Sequence, residues 1–166
     1  MPRVTYLLVS LAFFGLVPGA WAQADREKAE VDRAVVQIQQ QWVQGFEGGN
    51  VEALSELYAE DAHLTPPTVP FRVEGRQAIK EAWGGFMRVF SQRQIFFTHP
   101  VTRLFAGNQI ALSGGYCFAS LLDMKGNPVT DFMRNSITFV KVRDRWLIAD
   151  HHMSNIPGLK MTGAKH

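Results

Sequence analysis

The residues whose types and spacing could do chemistry lie near the end of the chain, in Trp146-Leu-Ile-Ala-Asp-His-His-Met-Ser-Asn-Ile-Pro157, where an apolar run turns polar. Read as a strand, this run sends alternate side chains to opposite faces. Asp150, His152 and Ser154 then share a face with Trp146 and Ile148, while His151 and Met153 point the other way. On the shared face Asp150 can orient and charge-stabilise His152, an acid/base pair with the Ser154 hydroxyl beside it. The plainer reading of the same residues is a solvated strand end with a hydrogen-bonded histidine. Adjacent histidines on opposite faces cannot chelate one metal ion, and no H-x-H, H-E-x-x-H or Cys/His cluster supplies further ligands, so no metal site is expected. A serine hydrolase would need a nucleophile elbow, and the sequence has none.

Three further residues could meet a substrate. Arg134 sits in an apolar stretch with Phe132, Ile137 and Phe139, and a buried guanidinium requires a carboxylate or an anionic ligand. Asp131, three residues away along a strand, falls on the face opposite Arg134 and is a poor partner for it; Asp150 is the other candidate. Tyr116 offers a phenolic hydroxyl, and Thr68 a hydroxyl on a proline-rich segment that could face a pocket mouth. A core tyrosine and a threonine satisfying its own backbone are the bland alternatives. The expected catalytic set is therefore Asp150, His152 and Ser154, with Arg134, Tyr116, Thr68 and His151 contacting substrate. Cys117 has no neighbouring base and reads as an inert buried thiol.

These groups need a frame. Val31, Val35, Ile38, Trp42 and Phe46 recur at steps of four and three, one stripe of a helix from Asp25, its expected cap, to Gly48-Gly49. A shorter helix is expected after Asn50, with Leu54, Leu57 and Tyr58 inward. A third follows Gly75, with Ile79, Trp83, Phe86, Met87 and Phe90 inward. Between them Leu64-Thr-Pro-Pro-Thr-Val-Pro70 forbids helix and predicts a rigid extended crossing. Four long strands follow, Gln94–Phe105, Gln109–Leu122, Val129–Val142 and Arg145–Ser154, separated by turn signals and read as hairpins. Helices followed by a meander predict an α+β fold: a cone-shaped, curved antiparallel sheet wrapped around the long N-terminal helix, with two further helices. The cavity between sheet and helices is the natural ligand site.

The beginning of the chain reads as an export signal. Arg3 precedes an apolar run from Tyr6 to Val17, and Ala20-Trp-Ala22 gives a small-x-small cleavage pattern, so residues 1–22 are expected to be removed. The run is too short to anchor a membrane span. Residues 23–157 then form one domain, and 158–166 a frayed tail. Export predicts a periplasmic or secreted protein. The net charge of +2 falls by one with Arg3, which gives no electrostatic case for nucleic acid or an anionic membrane. A single cysteine excludes an internal disulfide. With neither a P-loop nor a Gly-x-Gly-x-x-Gly fingerprint, no cofactor is expected.

The order Leu-Tyr-Ala-Glu-Asp-Ala62, Leu64-Thr-Pro-Pro-Thr68, Val73-Glu-Gly-Arg-Gln-Ala-Ile79 and a meander closing with Arg145-Trp-Leu-Ile resembles the nuclear-transport-factor-2-like (cystatin-like, SnoaL-like) superfamily. Within it, Ser113-Gly-Gly-Tyr-Cys-Phe118, Arg134-Asn-Ser-Ile-Thr-Phe139 and His151-His-Met-Ser-Asn-Ile-Pro157 resemble the group of SgcJ/EcaC-type proteins and calmodulin-dependent kinase II association domains. That group includes iota-class carbonic anhydrases, whose site pattern implies roles for Thr68 and Ser154. Ala82 and Met153 depart from that pattern, at positions where the family has a tyrosine and a serine. Ketosteroid-isomerase-like and SnoaL-like relatives imply a cofactor-free proton transfer beside a carbonyl. The resemblance thus implies a small-molecule pocket protein, an isomerase, cyclase or carbonic-anhydrase-like lyase, and a homodimer paired through its sheet. The alternative is a ligand-binding or oligomerisation module without catalysis.

Overall fold

The computed structural model describes residues 18–157. The stripe of five apolar residues does build one long helix, α1 (Pro18–Gly48), in which Val31, Val35, Ile38, Trp42 and Phe46 are all buried. It begins seven residues before Asp25, which lies within the helix rather than capping it, and the described side chains from Ala22 to Glu30 are exposed. The helix ends as the glycine pair predicts. Gly49 adopts φ +70, its N–H donates to the Phe46 carbonyl, and the Asn50 N–H donates to that of Gly45, the pairing that satisfies a helix's last carbonyls. Arg93 locks this terminus to the sheet, its guanidinium donating to the carbonyls of Phe46 (2.8 Å), Phe90 (2.7 Å) and Glu47 (3.3 Å).

Asn50 caps α2 (Val51–Ser55), its side chain accepting from the Ala53 N–H. This helix is shorter than expected. Tyr58 belongs to a strand, β1 (Tyr58–Thr65), which pairs with the two-residue β2 (Val73–Glu74). Helix α3 (Arg76–Val89) follows Gly75 and buries Ile79 and Trp83. Then come β3 (Ser91–Phe105), β4 (Ile110–Leu122), β5 (Pro128–Val142) and β6 (Arg145–Asn155), close to the four expected strands.

The chain is α+β. Six strands form one curved sheet in the order β2-β1-β6-β5-β4-β3, whose concave face covers α1. All neighbours are antiparallel except β1 and β6, which run parallel. Four irregularities interrupt the ladders, at Tyr58/His63, Ser91/Gln94, Thr98/Val101 and Thr138/Phe139. His99 and Pro100 of β3 stand opposite Gly115 alone, between the pairs Thr98↔Tyr116 and Val101↔Gly114, a bulge on an edge strand where a proline is tolerated. In β6, Thr138 pairs with Asp150 and Phe139 with Ile148, leaving Ala149 as an extra residue. No helix among the described residues is long and apolar enough to cross a membrane. The export segment lies mostly outside the described residues, as does the tail beyond Pro157.

Candidate functional site

The bulge at Ala149 decides which side chains reach the cavity. One extra residue reverses the alternation, so Ile148, His151 and Met153 face inward and are buried. His152 is exposed and Asp150 and Ser154 are half-buried, all on the outer face of the sheet. The expectation that Asp150, His152 and Ser154 point into the cavity is therefore corrected. Arg134 is not a buried guanidinium but an exposed one, and Tyr116 is 51 % exposed. Register sets Tyr116 opposite Arg134 and Arg134 opposite Ser154, one cross-strand row. Beside it His152 pairs with Ser136 and Thr65, and Asp150 with Thr138 and His63. Asp150, His152, Ser154, Arg134 and Tyr116 do gather, but on the convex side. Among the described residues no group of three or more His, Cys, Asp or Glu side chains is placed to hold a metal ion.

The cavity lies on the other face. Trp42 and Phe46 of α1, Trp83, Phe86 and Phe90 at α3, and Ala119, Met133 and Met153 of the sheet surround space of about 70 Å³, which the buried Pro66, the half-buried Pro67 and the exposed Thr68 also line. The aromatic rings support one another: Trp42 stacks on Phe46 (5.2 Å) and meets Trp83 edge-on (5.4 Å), the geometries that ring quadrupoles favour. Thr68 is the one expected site residue that lines this cavity.

Among the described residues Asp131 is the one ionisable side chain lining it. It stands in phase with the buried Met133, Asn135, Ile137 and Phe139, so strand alternation turns it inward. Burial against apolar walls raises its pKa, partly opposed by a hydrogen bond from the Phe132 N–H. A carboxyl half out of water and without a cationic partner is suited to taking up and returning a proton. In the sequence Asp131 reads only as a partner for Arg134. The signal was its parity with Met133, Ile137 and Phe139.

Beneath the cavity a polar network is sealed off. His151 is fully buried, which depresses its pKa to about 3, with repulsion from His152 adding to the effect. The neutral imidazole accepts at Nδ1 from the Tyr58 hydroxyl (2.9 Å) and donates from Nε2 to Asn135 Oδ1 (3.0 Å). Tyr58 in turn accepts from the indole N–H of Trp42 (2.9 Å) and of Trp83 (3.3 Å). Burial raises the Tyr58 phenol far above its ordinary range, and the indole donors offset part of that. His151 therefore contacts other core residues rather than the cavity. Burial, with the Asp131 charge adding to it, pushes the Cys117 thiol up to about 12, which keeps it protonated and unreactive.

The family model for the SnoaL-like domain matches residues 27–152. Among solved structures, the chain is 24 % identical to a proposed calcium/calmodulin-dependent protein kinase II association domain from Xanthomonas campestris, covering 76 % of this chain and 89 % of that one with a TM-score of 0.69. A proposed scytalone dehydratase from Novosphingobium aromaticivorans is 17 % identical, with coverage of 86 % and 93 % and a TM-score of 0.75. A proposed dehydratase of the NTF2-like family from Streptomyces avermitilis is 20 % identical, with coverage of 75 % and 95 % and a TM-score of 0.63. The comparison with curated proteins gives no match.

Proposed function

Since the chain belongs to the SnoaL-like domain family of nuclear-transport-factor-2-like proteins, we propose that it is a cofactor-free acid/base enzyme acting on a small, largely apolar carbonyl compound. The observation that carries this is Asp131, a carboxyl with a raised pKa in an otherwise apolar cavity. The carboxylate removes a proton from the carbon beside the carbonyl, and the acid so formed returns it to a second carbon or to a leaving hydroxyl. One group suffices because the proton taken is the proton given back. The Thr68 hydroxyl, at the rim of the same cavity, donates to the oxygen on which charge develops. Isomerisation and dehydration both fit this balance, and two structural neighbours are themselves proposed dehydratases.

Apolar β,γ-unsaturated ketones test the reading, with 3-cyclohexenone the smallest. The protein should speed formation of the conjugated enone, seen by ultraviolet absorbance, and Asp131→Asn should return the rate towards background. Binding of such ketones without any rate above background would leave a binding module and sink the enzyme reading.

Two further parts of the reading concern the protein's setting. Residues 1–22 direct export and are cleaved, which mass spectrometry of the protein recovered from outside the cytoplasm would check. The outer face of the sheet pairs with that of a second copy. Its support is an exposed aromatic ladder in which Phe96 is 54 % and Phe132 45 % exposed, with Phe118 between them at centroid distances of 6.5 and 4.8 Å.

A further inference from the structure

We infer that Tyr58 sets the specificity of the cavity without lining it. By binding both indole N–H groups of the floor, it leaves the deep half without a hydrogen-bond donor and selects ligands whose inserted end is pure hydrocarbon. This rests on the cavity being the ligand site.

Trp42 and Trp83 both line the cavity, and an indole has a single donor. Each is directed away from the ligand space to the Tyr58 oxygen, at 2.9 and 3.3 Å. That oxygen accepts twice and donates once, to His151 Nδ1 at 2.9 Å, so its capacity is filled. His151 is held by Asn135 at 3.0 Å on its other nitrogen, which fixes the tautomer and with it the direction of the whole chain. The two largest walls therefore show the ligand only carbon. The polar side chains that do line the space, Thr68 and Asp131, are exposed and half-buried respectively and so stand towards solvent. A ligand seats its apolar body first and keeps its polar group at the rim, where the carboxyl acts. A heteroatom acceptor driven to the floor would lose its water and find no donor.

Naphthalene and quinoline, which differ by one ring nitrogen, test this in fluorescence titrations of the full protein. The wild type should prefer naphthalene after correction for their transfer from water. Tyr58→Phe keeps the ring but removes the acceptor that holds both indole N–H groups away from the ligand, which leaves them unpaired and free to turn towards it, and the ratio of dissociation constants should move towards quinoline by about fivefold to tenfold, the value of one net hydrogen bond. An unchanged ratio in a folded Tyr58→Phe protein would overturn the inference. A second measurement needs no variant: the Trp42 and Trp83 indole ¹⁵N–¹H resonances should respond alike to both ligands, and a downfield shift with quinoline alone would overturn it. So would a wild type that binds neither compound. Asp131→Asn should keep the naphthalene preference while losing turnover, so failure of the catalytic reading and failure of this one are read separately.

Discussion

At Asp131 burial and charge oppose each other, and two measurable consequences follow with definite signs. Its native pKa is raised, so the folded protein holds the proton more tightly than the unfolded chain does. Stability then falls as pH rises from the unfolded value to the raised native one, and that loss persists at neutral pH. Asp131→Asn removes it: thermal melting should show the variant more stable than wild type at neutral pH and level with it in acid. The same substitution should lower turnover by ~10²–10⁴-fold, the usual worth of a positioned acid/base group, and wild-type activity should rise with pH through an apparent pKa higher than that of a free aspartate. His151 has the opposite sign. Its native pKa of about 3 lies below that of a free imidazole, so its contribution is complete above about pH 6.5 and is lost progressively as pH falls towards the native value, a change of several kcal/mol. Denaturant titrations across that range should show the decline. A midpoint that does not move with pH would contradict the buried, neutral histidine.

Elements explain why some side chains were legible and others were not. The α1 stripe and its glycine stop could be read directly, because five apolar residues at helical spacing admit one face and Gly49 alone supplies φ +70 cheaply. Strand β1 could not. Leu54, Leu57 and Tyr58 also fit a helical spacing, Ala59-Glu-Asp-Ala62 shows no alternation, and the strand exists through its parallel pairing with β6 at the far end of the chain. The bulge was equally hidden. Leu147-Ile148-Ala149 is a continuous apolar run that carries no phase, so one unpaired residue inverted the expected faces of everything after it. The bulge can be tested by deleting Ala149. Ile148 and Asp150 would then stand opposite the consecutive Phe139 and Thr138, so a regular ladder replaces the bulge while Asp150, His152 and Ser154 stay outward and His151 and Met153 stay inward. The Tyr58 network should survive, at a cost of no more than about 3 kcal/mol. The deletion should therefore keep a cooperative melt by circular dichroism, and its loss would refute the assignment of the bulge.

The whole molecule sets two apolar faces back to back in one sheet. Ile95, Cys117 and Met133 are buried on the concave side, while Phe96, Phe118 and Phe132, each adjacent to one of them in the chain, form a ladder on the convex side. The sequence shows both sets, since the residues alternate without a polar phase, but it cannot say which face the chain's own helices cover. The helices occupy the concave face, so an aromatic row is left open, and apolar patches of this kind mark contact surfaces. A second copy presents the same row, which makes the pairing self-complementary about a two-fold axis. Phe132→Asp places a carboxylate at one end of the ladder, where pairing would bury it against a ring. Sedimentation should find wild type at about twice the chain mass and the variant at the chain mass, with weakening of at least tenfold, since an unpaired buried charge costs more than one factor of ten. Naphthalene binding should stay as in wild type, because Asp131 and Met133 lie on the opposite face from Phe132. A wild type that sediments as a single chain at high concentration would remove the second copy from this face.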